Sequence, residues 1–283
     1  MALRHYPAWL PLLVTVLSAS GAAAPKQLAI ARLALRQYED GPLLDPGFAF
    51  LSGDTVFFSF QIQGYQVSSS SNIDLRVRID AADPEAVPIV KTIQRAIRTQ
   101  LSAQDKNWMP IVRDSIQLPT LALPGTYHVR VVVEDALSKQ EARSEIGFPV
   151  RGKRVEPSQT LVARDFRFLR GEDDRDPLIQ AVFRAGDSVW ARFEITGFRY
   201  GANNRMDVSY GVALAGPDGK TLFSEAQAAQ EQDESFYPKR YVPGVLSLNL
   251  DKKIKPGEYT VILTLRDQVG AQTAESRHSF RVE

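Results

Sequence analysis

The chain has no cysteine in 283 residues. No disulfide can staple it, no thiolate can ligate a metal or attack a carbonyl, and no cysteine can carry a lipid. Its stability must come from apolar burial. Histidine is almost as scarce. There are three, and with His5 in the N-terminal leader only His128 and His278 remain. Two isolated imidazoles cannot form a transition-metal site. The sequence also lacks the G-x-S-x-G elbow, the H-E-x-x-H pair and a phosphate-binding glycine loop. An excess of one charge is missing too: Lys and Arg number 34 against 33 Asp and Glu. Arg4 is the one charged residue among the first 24, so the remainder is balanced. A balanced chain has no cationic surplus to release counterions from a phosphate backbone, and nucleic acid is not an expected partner.

Long apolar runs occur once. "MALRHYPAWLPLLVTVLSASGAAA" has a basic residue, an apolar stretch from Trp9 to Leu17 and then small residues to Ala24. That order is the layout of a secretory signal peptide, and the apolar stretch is short for a membrane span. The expected division is a signal peptide over 1–24, domains over 25–150 and 160–283, and a linker over 151–159. The expected location is periplasmic or extracellular, with no transmembrane segment after cleavage. N-terminal sequencing of the exported protein should find a start between Ala23 and Lys26. Membrane-bound protein that keeps Met1 would contradict this.

What the sequence does have is a repeat. "PGTYHVRVVVED" (Pro124 to Asp135) returns as "PGEYTVILTLRD" (Pro256 to Asp267). In each, Tyr, Val and Leu alternate with outward residues at a period of two, the signature of a half-buried strand. "FLSGDTVFFSFQIQGY" (Phe50 to Tyr65) returns as "FRAGDSVWARFEITGF" (Phe183 to Phe198), with seven of sixteen positions identical. Matches at nearly fixed offset over several segments mean an internal duplication of a unit of roughly 120 residues.

Each unit reads as seven short strands, near 28–37, 54–64, 72–80, 87–91, 111–118, 126–135 and 142–150, and near 160–169, 187–197, 206–215, 220–224, 244–250, 258–267 and 273–282. Ile93, Ile97 and Leu101 stand at helical spacing, so a short helix is expected within 91–105. The polar counterpart, Ser224 to Ser235, is expected to be a loop. The fold class is therefore all-β, two tandem seven-stranded antiparallel β-sandwiches. The unit resembles the immunoglobulin-like and fibronectin type III-like domains found in tandem in exported bacterial proteins, and "PG-x-Y-x-V" is similar to the tyrosine corner of that fold. The resemblance implies that Tyr127 and Tyr259 hydrogen-bond back across a sandwich edge. Where antibody domains carry a cysteine two residues later, Val129 and Val261 stand. The resemblance reaches architecture and names no ligand.

Candidate chemistry is sparse. "GDSV" (Gly186 to Val189) resembles the nucleophile block of GDS-type esterases, but "GDTV" (Gly53 to Val56) stands at the same place in the first unit, which makes both a turn entering a strand. Glu172, Asp173, Asp174 and Asp176 could offer calcium oxygens, yet their spacing lacks the EF-hand pattern. No cofactor and no metal are expected, and no enzyme. Binding candidates are the outward aromatics Phe57 and Trp190, aligned in the two copies, and the loops after those strands, with Tyr65, Arg199, Tyr200 and Asn203. The expected function is non-enzymatic interaction with another envelope or extracellular protein. The alternative is carbohydrate binding, for which Trp108, Trp190, Tyr200 and Tyr237 are the available aromatics. A pilus-type chaperone is disfavoured, because Glu141 to Val150 is not expected to offer a long alternating edge strand.

Overall fold

A computed structural model describes residues 27–105 and 107–283. The leader expectation lies outside the described residues. In the first domain β1 (Ala29–Arg36), β3 (Thr55–Gln63) and β6 (Ile111–Gln117) form one sheet in the order β1-β3-β6. The facing sheet runs β2-β8-β7-β4-β5, from β2 (Phe50–Leu51), β8 (Glu141–Arg151), β7 (Gly125–Asp135), β4 (Asn72–Ala82) and β5 (Ile93–Gln100). The second domain repeats the plan. β9 (Val162–Leu169), β11 (Ser188–Thr196) and β14 (Val242–Asn249) face β10 (Val182–Phe183), β16 (Gln272–Val282), β15 (Gly257–Asp267), β12 (Met206–Ala215) and β13 (Thr221–Asp233). The class is thus an all-β pair of sandwiches. Each has eight strands, because two-residue β2 and β10 pair in parallel with β8 and β16.

Period-two patterning builds both cores. Val56, Phe58, Phe60 and Ile62 of β3 point inward and meet Leu75, Val77 and Ile79 of β4 and Val129, Val131 and Val133 of β7. Each such side chain contributes about 1.5–3 kcal/mol on full burial. The second core places Val189, Ala191, Phe193 and Ile195 likewise.

Three expectations change. The segment 93–100 is a strand, not a helix. A spacing of four is even, so Ile93, Ile97 and Leu101 share a face of a strand as well as of a helix, and β-branched residues favour the strand. Ile79 pairs with Ile93 and Leu75 with Ile97. Ser224 to Ser235 is largely strand too, within β13. It is polar because it is the outer strand of its sheet and exposed along nearly its whole length, with Gln230 and Gln232 donating to Asp207. The expected strand at 87–91 reduces to one bridge between Ala82 and Pro88. The edge argument against a chaperone also weakens, since β8 alternates in exposure and only its last two residues pair with β2.

The repeated phrase earns its residues one by one. Gly125 and Gly257 have φ of +147° and +155°, and a Cβ on either would sit 2.6 Å from Cγ of Pro84 or Pro217. Only glycine meets both demands. Tyr127 and Tyr259 are buried, and their hydroxyls donate to Leu123 O (3.0 Å) and Lys255 O (2.7 Å). Burial pushes the Tyr127 phenol up to about 12. Tyr127→Phe and Tyr259→Phe should each lower stability by about 1–3 kcal/mol through a carbonyl left unpaired. Denaturant titration checks this, and stability unchanged in both would contradict it. The closing Asp of each phrase is a latch. Asp135 accepts from Gln66 N (2.7 Å), Ser138 Oγ (2.7 Å) and Leu137 N (2.9 Å). Asp267 accepts from Arg199 N (2.9 Å), Gly270 N (2.9 Å) and Gln272 Nε2 (3.0 Å). Gln140 and Gln272 complete the pattern by accepting from Leu28 N and Leu161 N. One turn thereby fixes the first strand and the loop after the third in both domains.

Candidate functional site

The hydrolase-like motif is a turn. Asp187 accepts from Arg184 N (2.7 Å), as Asp54 accepts from Leu51 N (2.7 Å). Ser188 donates to Asn249 Oδ1 at 2.7 Å. His128 lies in the other domain against Glu145 (2.9 Å), and His278 stacks on Phe166 and contacts Ser276 Oγ (3.0 Å). Burial lowers the His278 pKa. The loop with Glu172, Asp173, Asp174 and Asp176 is exposed, and among the described residues no three His, Cys, Asp or Glu side chains cluster as metal ligands. EDTA should therefore leave the melting temperature within about 5 °C, a shift worth roughly 1 kcal/mol. A larger drop reversed by calcium would assign those four carboxylates as ligands.

Phe57 and Trp190 take equivalent places on the outward faces of the three-stranded sheets, and both are half-buried. Phe57 pairs with Arg36, whose guanidinium donates to Ser59 Oγ (2.5 Å) and Gly41 O (2.7 Å) and so lies across that face. Beside Trp190, Arg192 donates to Glu172 O and ties the acidic loop down. Further along β11 the outward Glu194 and Thr196 are buried. Lys153 of the linker pairs with Glu194 and, at 3.2 Å, with Asp165.

The four loop candidates separate. Tyr65 is at the end of the first domain away from the second, donating to Trp108 O (2.6 Å). Burial, then the nearby Asp105 charge, raises its pKa. Tyr200 and Asn203 instead meet the loop of residues 234–241. Tyr200 donates to Lys239 O and Asn203 to Glu234 Oε1 (2.8 Å), while Arg199 donates to Gln159 O (3.2 Å).

That loop reaches the first domain, a contact that sequence reasoning missed. Tyr237 belongs to the second domain in sequence but packs in the core cluster of the first, 7 % exposed. Its hydroxyl donates to Asp83 Oδ2 at 2.9 Å, within a buried pair. Arg240 reaches Asp83 (3.5 Å) and Glu85 (3.0 Å). The other Asp83 oxygen accepts from Glu85 N and Val87 N, both 2.8 Å. Burial first, then the bond to Asp83, raises the Tyr237 pKa strongly. A signal existed: the repeat places Gly216 opposite Asp83, so an acid present in one copy alone marked something the duplicated scaffold did not need.

The end of the second domain that corresponds to this seat is open. A concavity of about 740 Å³ is lined by Leu214, Pro217, Leu222, Phe223, Ile254 and the corner residue Tyr259. Leu222 is 56 % and Phe223 45 % exposed.

No family model matches the chain, and no curated protein matches it. Among solved structures, the C-terminal domain of the Streptococcus agalactiae antigen I/II polypeptide BspA covers 90% of this chain and 99% of its own at 9% identity and a TM-score of 0.31. The C-terminal domain of the Streptococcus pyogenes antigen I/II-family protein AspA covers 92% and 100% at 11% identity and 0.33. Escherichia coli alpha-2-macroglobulin covers 93% of this chain and 22% of its own at 10% identity and 0.28. Scores this low carry no argument about what this chain does. Among the described residues no helix is long and apolar enough to cross a membrane.

Proposed function

We propose that the chain is a non-enzymatic, exported tandem module of immunoglobulin-like domains that binds or positions another protein in the periplasm or outside the cell. The observation that supports this is the concavity at the free end of the second domain, where two large apolar side chains, Leu222 and Phe223, stand exposed around a pocket of about 740 Å³. Exposed apolar clusters around a hollow are where soluble domains meet partners. The carbohydrate reading loses ground on placement. A sugar platform needs coplanar exposed rings, but Tyr237 is buried at the junction, Tyr200 braces the junction loop, and Trp108 and Trp190 belong to different domains. Capture from an envelope extract tests the proposal. Wild-type protein should retain a partner that Leu222→Asp loses, and a glycan array should be blank. Equal retention by both proteins, or a specific glycan signal, would contradict it.

A further inference from the structure

The two domains present the same end in two conditions. In the first domain the corner tyrosine Tyr127, with Ile89, Leu118 and Ala122, lies in the cluster that receives Tyr237 from the next domain. The repeat places Tyr259, Leu222, Leu250 and Ile254 at the matching positions of the second domain. There Tyr259 lines an open pocket, and Leu222 is 56 % exposed where Ile89 is 5 %. The charges at the two seats differ. At the filled seat the acids Asp83 and Glu85 meet the basic Arg240. At the open seat Gly216 replaces Asp83, Asp218 stands where Glu85 does, and "DKKIKPG" (Asp251 to Gly257) replaces "PTLALPG" (Pro119 to Gly125), so Lys253 and Lys255 line the hollow together with Asp218 and Asp251. Its occupant should be apolar, with an acid able to meet Lys253 or Lys255.

The opposite tip of the molecule offers such a group. The loop between β5 and β6 is the first-domain counterpart of the junction loop that carries Tyr237. It exposes Trp108 and Met109, 40 % and 37 %, with the exposed Asp105 three residues before Trp108. Hydrogen bonds from Ser102 N and Oγ hold the Asp105 carboxyl below the usual carboxylate range. Trp108 also lines a hollow of about 460 Å³ with Tyr65 and Met109.

We propose that a second copy of this chain docks head to tail, the Trp108 and Met109 loop of its first domain entering the Leu222, Phe223 and Tyr259 pocket of the second domain. The contact repeats between molecules what the Tyr237 loop does within one. Such an interface is heterologous, joining two different surfaces, so it propagates into chains rather than closing as a twofold dimer. It rests on the interaction reading and names the partner.

The test is sedimentation velocity on the full processed chain, from about 1 µM to about 0.5 mM, which spans weak to moderate affinities. The wild type should show a weight-average mass that climbs with concentration. Leu222→Asp and Trp108→Ala should each associate at least tenfold more weakly. Both side chains are exposed, so thermal transitions like the wild type's should confirm folding. The decisive sample is the equimolar mixture. Leu222→Asp keeps its loop and Trp108→Ala keeps its pocket, so mixing should restore association, but only as far as dimers. A monomeric wild type at every concentration, variants that associate like the wild type, or a mixture that stays monomeric would each overturn the proposal. A monomeric wild type that still captures a different protein through Leu222 would overturn self-docking alone and leave the interaction reading standing.

Discussion

Tyr237→Ala is expected to lower stability by about 3–5 kcal/mol, the usual range for truncating a buried aromatic, and to do so by damaging the first domain, to which Tyr237 does not belong in sequence. The ring packs in the first core and the hydroxyl bonds Asp83. Truncation opens a cavity there and strips Asp83 of its buried hydroxyl donor, leaving Arg240 as its cross-domain partner. Calorimetry should show one cooperative transition in the wild type and two in the variant, because the Arg240 pairs with Asp83 and Glu85 do not replace the buried ring. Tyr237→Phe keeps the ring and loses one bond, so about 1–3 kcal/mol is expected. Paired with Asp83→Asn in a double-mutant cycle, it should show coupling of about 1 kcal/mol or more. A single transition in Tyr237→Ala at the wild-type temperature would mean that the seat is ornamental.

Asp135→Ala should cost about 3 kcal/mol or more, because Gln66 N, Leu137 N and Ser138 Oγ lose their acceptor together and each unpaired donor costs about 1–3 kcal/mol. Asp135→Asn isolates the charge. Burial works to raise the pKa of this carboxyl, but the bonds from Gln66, Ser138 and Leu137 outweigh it and leave the pKa lowered. A depressed folded-state pKa means stability that is present above the unfolded value of about 3.9 and lost as pH falls through the folded one. The gap between wild type and Asp135→Asn should thus be full at pH 7 and shrink below about pH 4. Urea titrations at pH 7 and pH 3 measure it. A gap that stays constant would assign the effect to shape rather than charge.

Much of this molecule was legible because period-two patterning reports directly on a sandwich. The inward sets of β3, β7, β11 and β15 read straight from alternation, and the duplication checked each copy against the other. The failures have physical causes. Ile93, Ile97 and Leu101 fit two periods at once, and only pairing with β4 decides between them. Ser224 to Ser235 lacks an apolar face because an edge strand exposed on both sides needs none. Two-residue β2 and β10 are too short for any pattern. Among the binding candidates, alternation correctly set Phe57 and Trp190 outward, but no local signal says what covers an outward face. Arg199, Tyr200 and Asn203 read as free loop residues because their partners lie about 30 to 70 positions away, at Glu234, Lys239 and Asp267. Tyr237 was hidden for the same reason: its partner Asp83 is 154 residues distant, in the other domain. The one readable trace was the mismatch of Asp83 with Gly216 between copies otherwise built alike.

The central claim is that the Tyr237 seat fixes the two sandwiches into one body. The cysteine-free chain permits a direct measurement. Spin labels at Ala96→Cys on β5 and Ala228→Cys on β13, both exposed positions, report the distance between domains by pulsed electron resonance. The wild-type background should give a single narrow distribution, and adding Tyr237→Ala should broaden it. A wild-type distribution as broad as the variant's would contradict a fixed junction.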